Sequence, residues 1–111
     1  MKENDNGYIP VQEELRKLTA LGSLDRFECE HLTNLKDIKP SSNRCEECIK
    51  MGDTWVHLRL CLICGHVGCC DDSKNKHATK HYHATGHPLI ISYEEGEEWM
   101  WCYADEVAII P

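Results

Sequence analysis

Cysteine and histidine carry most of the chemistry available to this chain: eight Cys and seven His occur in 111 residues that hold a single Phe. The cysteines fall in close pairs, Cys45-x2-Cys48 and Cys61-x2-Cys64, with Cys69 just beyond them and His77, His81 and His87 downstream. A two-residue gap lets two thiolates turn toward one ion at Zn–S distances of about 2.3 Å, and mixed thiolate and imidazole donors suit the borderline softness of zinc. Disulfides are the competing use. They belong to an oxidising compartment and leave the histidines without a role, and the opening Met1–Gly7 stretch lacks the apolar run of a secretory signal. The spacing therefore predicts zinc as the cofactor.

The donors can be grouped in more than one way. Cys61-x2-Cys64-x12-His77-x3-His81 has the spacing of the two-Cys two-His finger that lays a helix in the major groove, which makes a nucleic-acid-binding finger one alternative. Gly68 and Lys74 stand where that finger carries large apolar residues, Asp71 and Asp72 precede its helix, and Cys45, Cys48, Cys69 and His87 would be left over. The other grouping interleaves two sites. Cys45, Cys48, Cys69 and His77 bind one ion while Cys61, Cys64, His81 and His87 bind a second. Both are then four-coordinate, the closed condition of structural zinc, whereas hydrolytic zinc keeps a position open for water. No Ser/His/Asp or Cys/His nucleophile arrangement and no phosphate-cradling glycine loop is legible, so the expectation is a non-enzyme. A third grouping, Cys29, His31, Cys102 and Asp105, would hold a further zinc with one carboxylate ligand. Cys70 has no slot in this scheme unless it replaces Cys69.

These donors need elements to position them. After Pro10, Val11, Leu15 and Leu18 recur at helical spacing and Gly22 follows, which predicts a short amphipathic helix. Trp55 to Leu60 alternates as a strand that delivers Cys61. Between Lys74 and Gly86 the composition suits a helix, with His77 and His81 on one face and Gly86 at its end. Leu89–Tyr93 and Trp99–Tyr103 read as two strands joined by the acidic tip Glu94–Glu98, with Cys102 facing away from Trp101 and Tyr103. The length suits one domain, read as an N-terminal extension over 1–25 and a zinc domain over 26–111. Twelve Lys+Arg against nineteen Asp+Glu give a charge of −7, with no Lys or Arg after Lys80. Three-thiolate and two-thiolate zinc sites leave the loaded chain at about −8, which repels a phosphate backbone and excludes nucleic acid as a partner. No apolar run approaches the roughly 20 residues of a membrane span, so no membrane partner is expected and the chain reads as soluble and cytoplasmic.

Taken together, Cys29-x-His31-Leu32, Cys45-x2-Cys48, Cys61-Leu62-Ile63-Cys64-Gly65-His66-Val67-Gly68-Cys69, His77-x3-His81-x5-His87-Pro88 and Trp101-Cys102-Tyr103 resemble the UBP-type zinc finger of ubiquitin-specific proteases and related proteins, over about residues 29–106. The resemblance implies an α+β fold, a twisted antiparallel sheet flanked by helices, and one to three interleaved zinc ions. It also implies recognition of a protein or peptide end, since the family's best-known ligand is the free C-terminal Gly-Gly of ubiquitin. Trp101 and Tyr103 match the tryptophan and tyrosine of that pocket, and Trp55 its aromatic wall. Two positions depart from the pattern: Cys70-Asp71 replaces the Gly-Arg that follows the third cysteine in ubiquitin binders, and Asp105 replaces the second cysteine of the last strand. A carboxylate facing a peptide carboxylate reverses a Coulomb term worth up to a few kcal/mol at surface-like dielectric. The expectation is a protein or peptide partner meeting Trp55, Trp101 and Tyr103, with ubiquitin-tail binding as in other family members the alternative; with these departures the chain resembles the short stand-alone members known from bacteria and archaea.

Overall fold

The computed structural model describes residues 7–21, 29–32 and 35–110. Its elements in chain order are α1 (Val11–Arg16), β1 (Thr19–Leu21), a 3-10 turn (Glu30–Leu32), α2 (Glu46–Lys50), β2 (Leu58–Cys61), β3 (Val67–Cys69), α3 (His77–Thr85), β4 (Leu89–Ser92), β5 (Met100–Cys102) and β6 (Val107–Ile110). The strands make one sheet in the order β1-β6-β5-β4-β2-β3, every pairing antiparallel, which is the α+β class.

Side-chain alternation gives the sheet two unlike faces. Leu60, Ile91, Met100 and Ile109 stand opposite one another across β2, β4, β5 and β6, and all four are fully buried. Leu58, Leu89 and Val107 extend this face, and Ile9, Val11 and Leu18 from the N-terminal segment pack into the same core. Burying each such side chain is worth about 1.5–3 kcal/mol. On the opposite face the register sets Ile90 beside Trp101 and Trp101 beside Ala108. α3 packs over β2 and β3, and α2 packs over β3. Among the described residues no helix is long and apolar enough to cross a membrane.

The α3 helix and the β4–β5 hairpin stand where the sequence predicts them. The N-terminal helix stops at Arg16, earlier than the Leu15–Leu18 spacing suggests: Leu18 donates its N–H to Leu15 O at 3.1 Å, and the chain then turns into β1 against β6. The segment read as an N-terminal extension thus adds a strand to the sheet and three side chains to the core; the 25/26 boundary and Gly22 lie outside the described residues. The strand before Cys61 starts at Leu58, not Trp55. Val56 is exposed and donates its N–H to Ser73 Oγ at 2.8 Å, so that backbone group is satisfied by a loop side chain and not by a ladder partner.

Gly65 closes the turn after Cys64. It has a positive φ of 84°, donates to Cys61 O at 2.9 Å, and a Cβ there would sit 2.3 Å from Lys39 O. Gly65→Ala would combine left-handed strain with a backbone clash, an expected cost of about 2–4 kcal/mol. Denaturant melts of the zinc-loaded protein would check it; a variant as stable as the parent would contradict this packing.

Candidate functional site

The first donor group lies at the junction of α2, β3 and α3. Cys45 and Cys48 flank the first turn of α2, Cys69 ends β3 and His77 opens α3. His77 Nδ1 lies 3.3, 3.4 and 3.5 Å from the sulfurs of Cys45, Cys48 and Cys69, and the Cys48 and Cys69 sulfurs are 3.8 Å apart. A tetrahedral zinc with bonds of about 2.0–2.3 Å has donor–donor edges of about 3.3–3.8 Å, so these four donors fit one ion. All four residues are buried. A disulfide, with sulfurs about 2 Å apart, is not what this spacing shows, and all eight cysteines are free.

The second group hangs on the same helix one turn further along. His81 Nε2 is 3.3 Å from Cys64 Sγ, and His87 Nδ1 is 3.7 Å from Cys61 Sγ. Its four donor atoms lie within 4.8 Å of one another. The i, i+4 spacing on α3 is what splits the two histidines between neighbouring centres. That division rules out the two-Cys two-His grouping, because His77 faces Cys45, Cys48 and Cys69. His66 couples the two regions: its Nε2 meets Glu47 Oε1 at 2.6 Å, and its ring stacks on His81 at 4.0 Å between centroids.

The third group joins the 3-10 turn to the end of β5. His31 Nδ1 lies 3.8 Å from Cys29 Sγ, 3.5 Å from Cys102 Sγ and 3.1 Å from Asp105 Oδ2. The two sulfur distances match tetrahedral edges and the carboxylate stands slightly closer; His31 is exposed and Asp105 half-exposed, so this centre, like the second and unlike the first, is open to solvent.

Burial is the main cause that raises the metal-free thiols, Cys29 and Cys45 to about 12 and Cys61 to about 11. Thiols raised this far are protonated throughout the neutral range, so an entering ion must displace those protons. Each of the three centres holds one such thiol, so above the imidazole range zinc affinity should rise with pH at all of them. Competition titrations against a chelator at two pH values between about 7 and about 8.5 check the direction.

Cys69 and Cys70 are distinguished by the ladder. Cys69 pairs with Leu58 on the core face, whereas Cys70 sits 3.5 Å from Ser73 Oγ and lines a cavity of about 390 Å³ on the other face. Arg59, Asp71, Asp72, Trp99, Trp101 and Tyr103 share that cavity. The Arg59 guanidinium lies 4.5 Å from the centre of the Trp99 ring. Tyr103 stacks on Tyr82 at 4.7 Å and its hydroxyl meets Thr79 Oγ1 at 3.1 Å. Trp55 does not join Trp101 and Tyr103: it packs against the core instead, because the chain reaches β2 only at Leu58 and the loop turns its ring inward. Trp99 and Arg59 take the place expected for it. The β2–β4–β5 register sets Cys61 beside Ile90 and Ile90 beside Trp101, which puts Arg59 and Trp101 on one face; the alternation along Trp55–Leu60 is the signal that could have found Arg59.

Comparison with known proteins places these residues in a family context. Residues 45–111 match the family described as "Zn-finger in ubiquitin-hydrolases and other protein". Ubiquitin carboxyl-terminal hydrolase 16 of Rattus norvegicus is 32% identical over 92% of this chain, and that of Mus musculus 34% identical over 85%. The chain spans only 12% of either hydrolase. A Rhodopseudomonas palustris protein solved by solution NMR is 57% identical and superposes with a TM-score of 0.68, covering 74% of this chain and 80% of that one.

Proposed function

Because the chain belongs to this zinc-finger family and binds zinc, we propose that it is a non-catalytic interaction module that receives a protein or peptide end in the cavity beside its zinc centres. Cys45, Cys48, Cys69 and His77 would hold one ion and Cys61, Cys64, His81 and His87 another; Cys29, His31, Cys102 and Asp105 are the donors for a third. When bound, zinc supplies cross-linking and charge, since four protein donors leave no position for a reacting water. The chain's own residues do the rest. The Cys70–Asp72 segment follows a ligand directly and is pinned where Ser73 donates its N–H to Cys70 O at 3.0 Å, so one edge of the cavity is fixed to the first centre.

The observation that carries this reading is the aromatic wall of Trp99, Trp101 and Tyr103 lining one cavity on the sheet face opposite the main core. Such concave, aromatic-lined sites with a few polar groups are the usual form of a binding site. Ubiquitin, named in the hydrolase relatives, is the second occupant to consider, because Trp101 and Tyr103 are retained; Asp71 and Asp72 at the mouth oppose its terminal carboxylate. The surplus of negative charge opposes nucleic acid.

The test is a peptide array with free amino ends and free carboxyl ends, probed with zinc-loaded protein. Trp101→Ala is expected to lose the bound set by at least about tenfold, the effect of removing a central aromatic anchor, while keeping its zinc and its melt. Binding that is indifferent to Trp101, or hydrolysis of any bound peptide, would overturn the proposal.

A further inference from the structure

We infer that the group this cavity takes is cationic: the lysine or arginine side chain of a basic partner segment. The inference rests on the peptide-binding reading above and specifies the charge of the ligand.

Charge within the cavity is already divided. Among its lining residues Arg59 alone is basic, and its guanidinium is already engaged: it covers Trp99, and its Nη1 lies 3.6 Å from Glu97 Oε1 and donates to Leu58 O at 3.0 Å and Ser92 Oγ at 3.3 Å. Its side chain is only 13% exposed. An incoming carboxylate would have to compete with Glu97 for a cation that is already paired. Asp71 and Asp72, both exposed, also line the cavity, and among the described residues neither makes an ion pair with Arg59. The adjoining three-thiolate centre adds a further negative charge when it holds zinc. The field in the cavity is therefore negative, and complementarity selects a positive group.

Shape agrees with charge. Ile90, Trp101 and Ala108 lie side by side across β4, β5 and β6 and form an apolar floor. A long basic side chain can lay its methylene stem on such a floor while its head reaches carboxylates at the rim. The Trp99–Arg59 contact shows that this wall already accepts a guanidinium on a ring face. The acidic edge is also held in place. Thr79 Oγ1 donates to Asp71 Oδ1 at 2.6 Å and meets the Tyr103 hydroxyl, tying carboxylate and aromatic wall to α3 before any ligand arrives.

NMR titration of isotope-labelled, zinc-loaded protein tests this with blocked pentapeptides, acetylated and amidated, that carry Lys, Arg or Glu, and with a peptide ending in a free Gly-Gly carboxylate. The Lys and Arg peptides are expected to move the Trp101 indole and the Asp71 and Asp72 amide signals. Affinity should fall about threefold to tenfold in Asp72→Asn and in Asp71→Asn, and again as salt rises from about 50 to about 300 mM. Among the described residues the Asp72 side chain makes no hydrogen bond or ion pair, and its exposed position tolerates Asn, so its variant keeps the test open if Asp71→Asn disturbs Thr79. Tighter binding of the Glu or Gly-Gly peptide at the same signals would overturn the cationic inference and leave the peptide module standing. Unchanged affinity in both Asp variants would also overturn it. Cavity signals unmoved by any of the peptides would overturn both readings.

Discussion

Removing zinc from this protein is expected to abolish its cooperative thermal melt and its near-UV signal. The physical reason is the pattern of cross-links. The first donor group ties residues 45 and 48 to 69 and 77, and the second ties 61 and 64 to 81 and 87, so each ion clamps an early loop to α3 or to the chain just after it. Structural zinc contributes about 10–16 kcal/mol of apparent binding energy at neutral pH, whereas a domain of this size has about 5–15 kcal/mol of net stability in all. Subtracting the first from the second leaves nothing. Chelator-treated, reduced protein should read as unfolded by near-UV circular dichroism and by calorimetry, and should regain its melt when zinc is restored. A melt unchanged after metal analysis shows the zinc gone would sink the cross-link account.

The second large effect separates two adjacent cysteines. Cys69→Ser is expected to lose one zinc equivalent and to be largely unfolded at room temperature, because it removes a buried donor from a closed centre and leaves two thiols and an imidazole unable to complete a tetrahedron. Loss of several kcal/mol follows, enough to exhaust a marginal domain. Cys70→Ser, one residue along, should keep every zinc equivalent and a melt within a few degrees of the parent, since its sulfur faces the Trp101 cavity and Ser73. Metal analysis and calorimetry on both variants decide it. Equal loss of zinc in both would mean the two thiols exchange as ligands.

Much of this site is legible in the chain. The close cysteine pairs and the His77-x3-His81-x5-His87 run specify both central donor groups, because a metal site built from neighbouring turns and one helix writes its geometry into short spacings. The β4–β5 hairpin and the opposed faces of Trp101 and Cys102 follow from strand alternation alone: Cys102 is buried beside His31, and Trp101 lines the cavity. β3 and β6 were not legible. Val67–Cys69 is three residues long and reads locally as a turn, and Val107–Ile110 acquires strand structure through its partners β5 and β1.

Local chemistry therefore determined that this chain binds zinc and which side chains are grouped to hold it, because donor type and spacing act over a few residues at a time. Tertiary structure decided that Cys69 and not Cys70 joins the first donor group, that Arg59 and Trp99 rather than Trp55 flank Trp101, and that the N-terminal segment completes the sheet. Each of these depends on the register between strands far apart in sequence. Antiparallel pairing with a period of two reverses a side chain's face with every single-residue shift, and which shift wins is set by burial across the whole sheet.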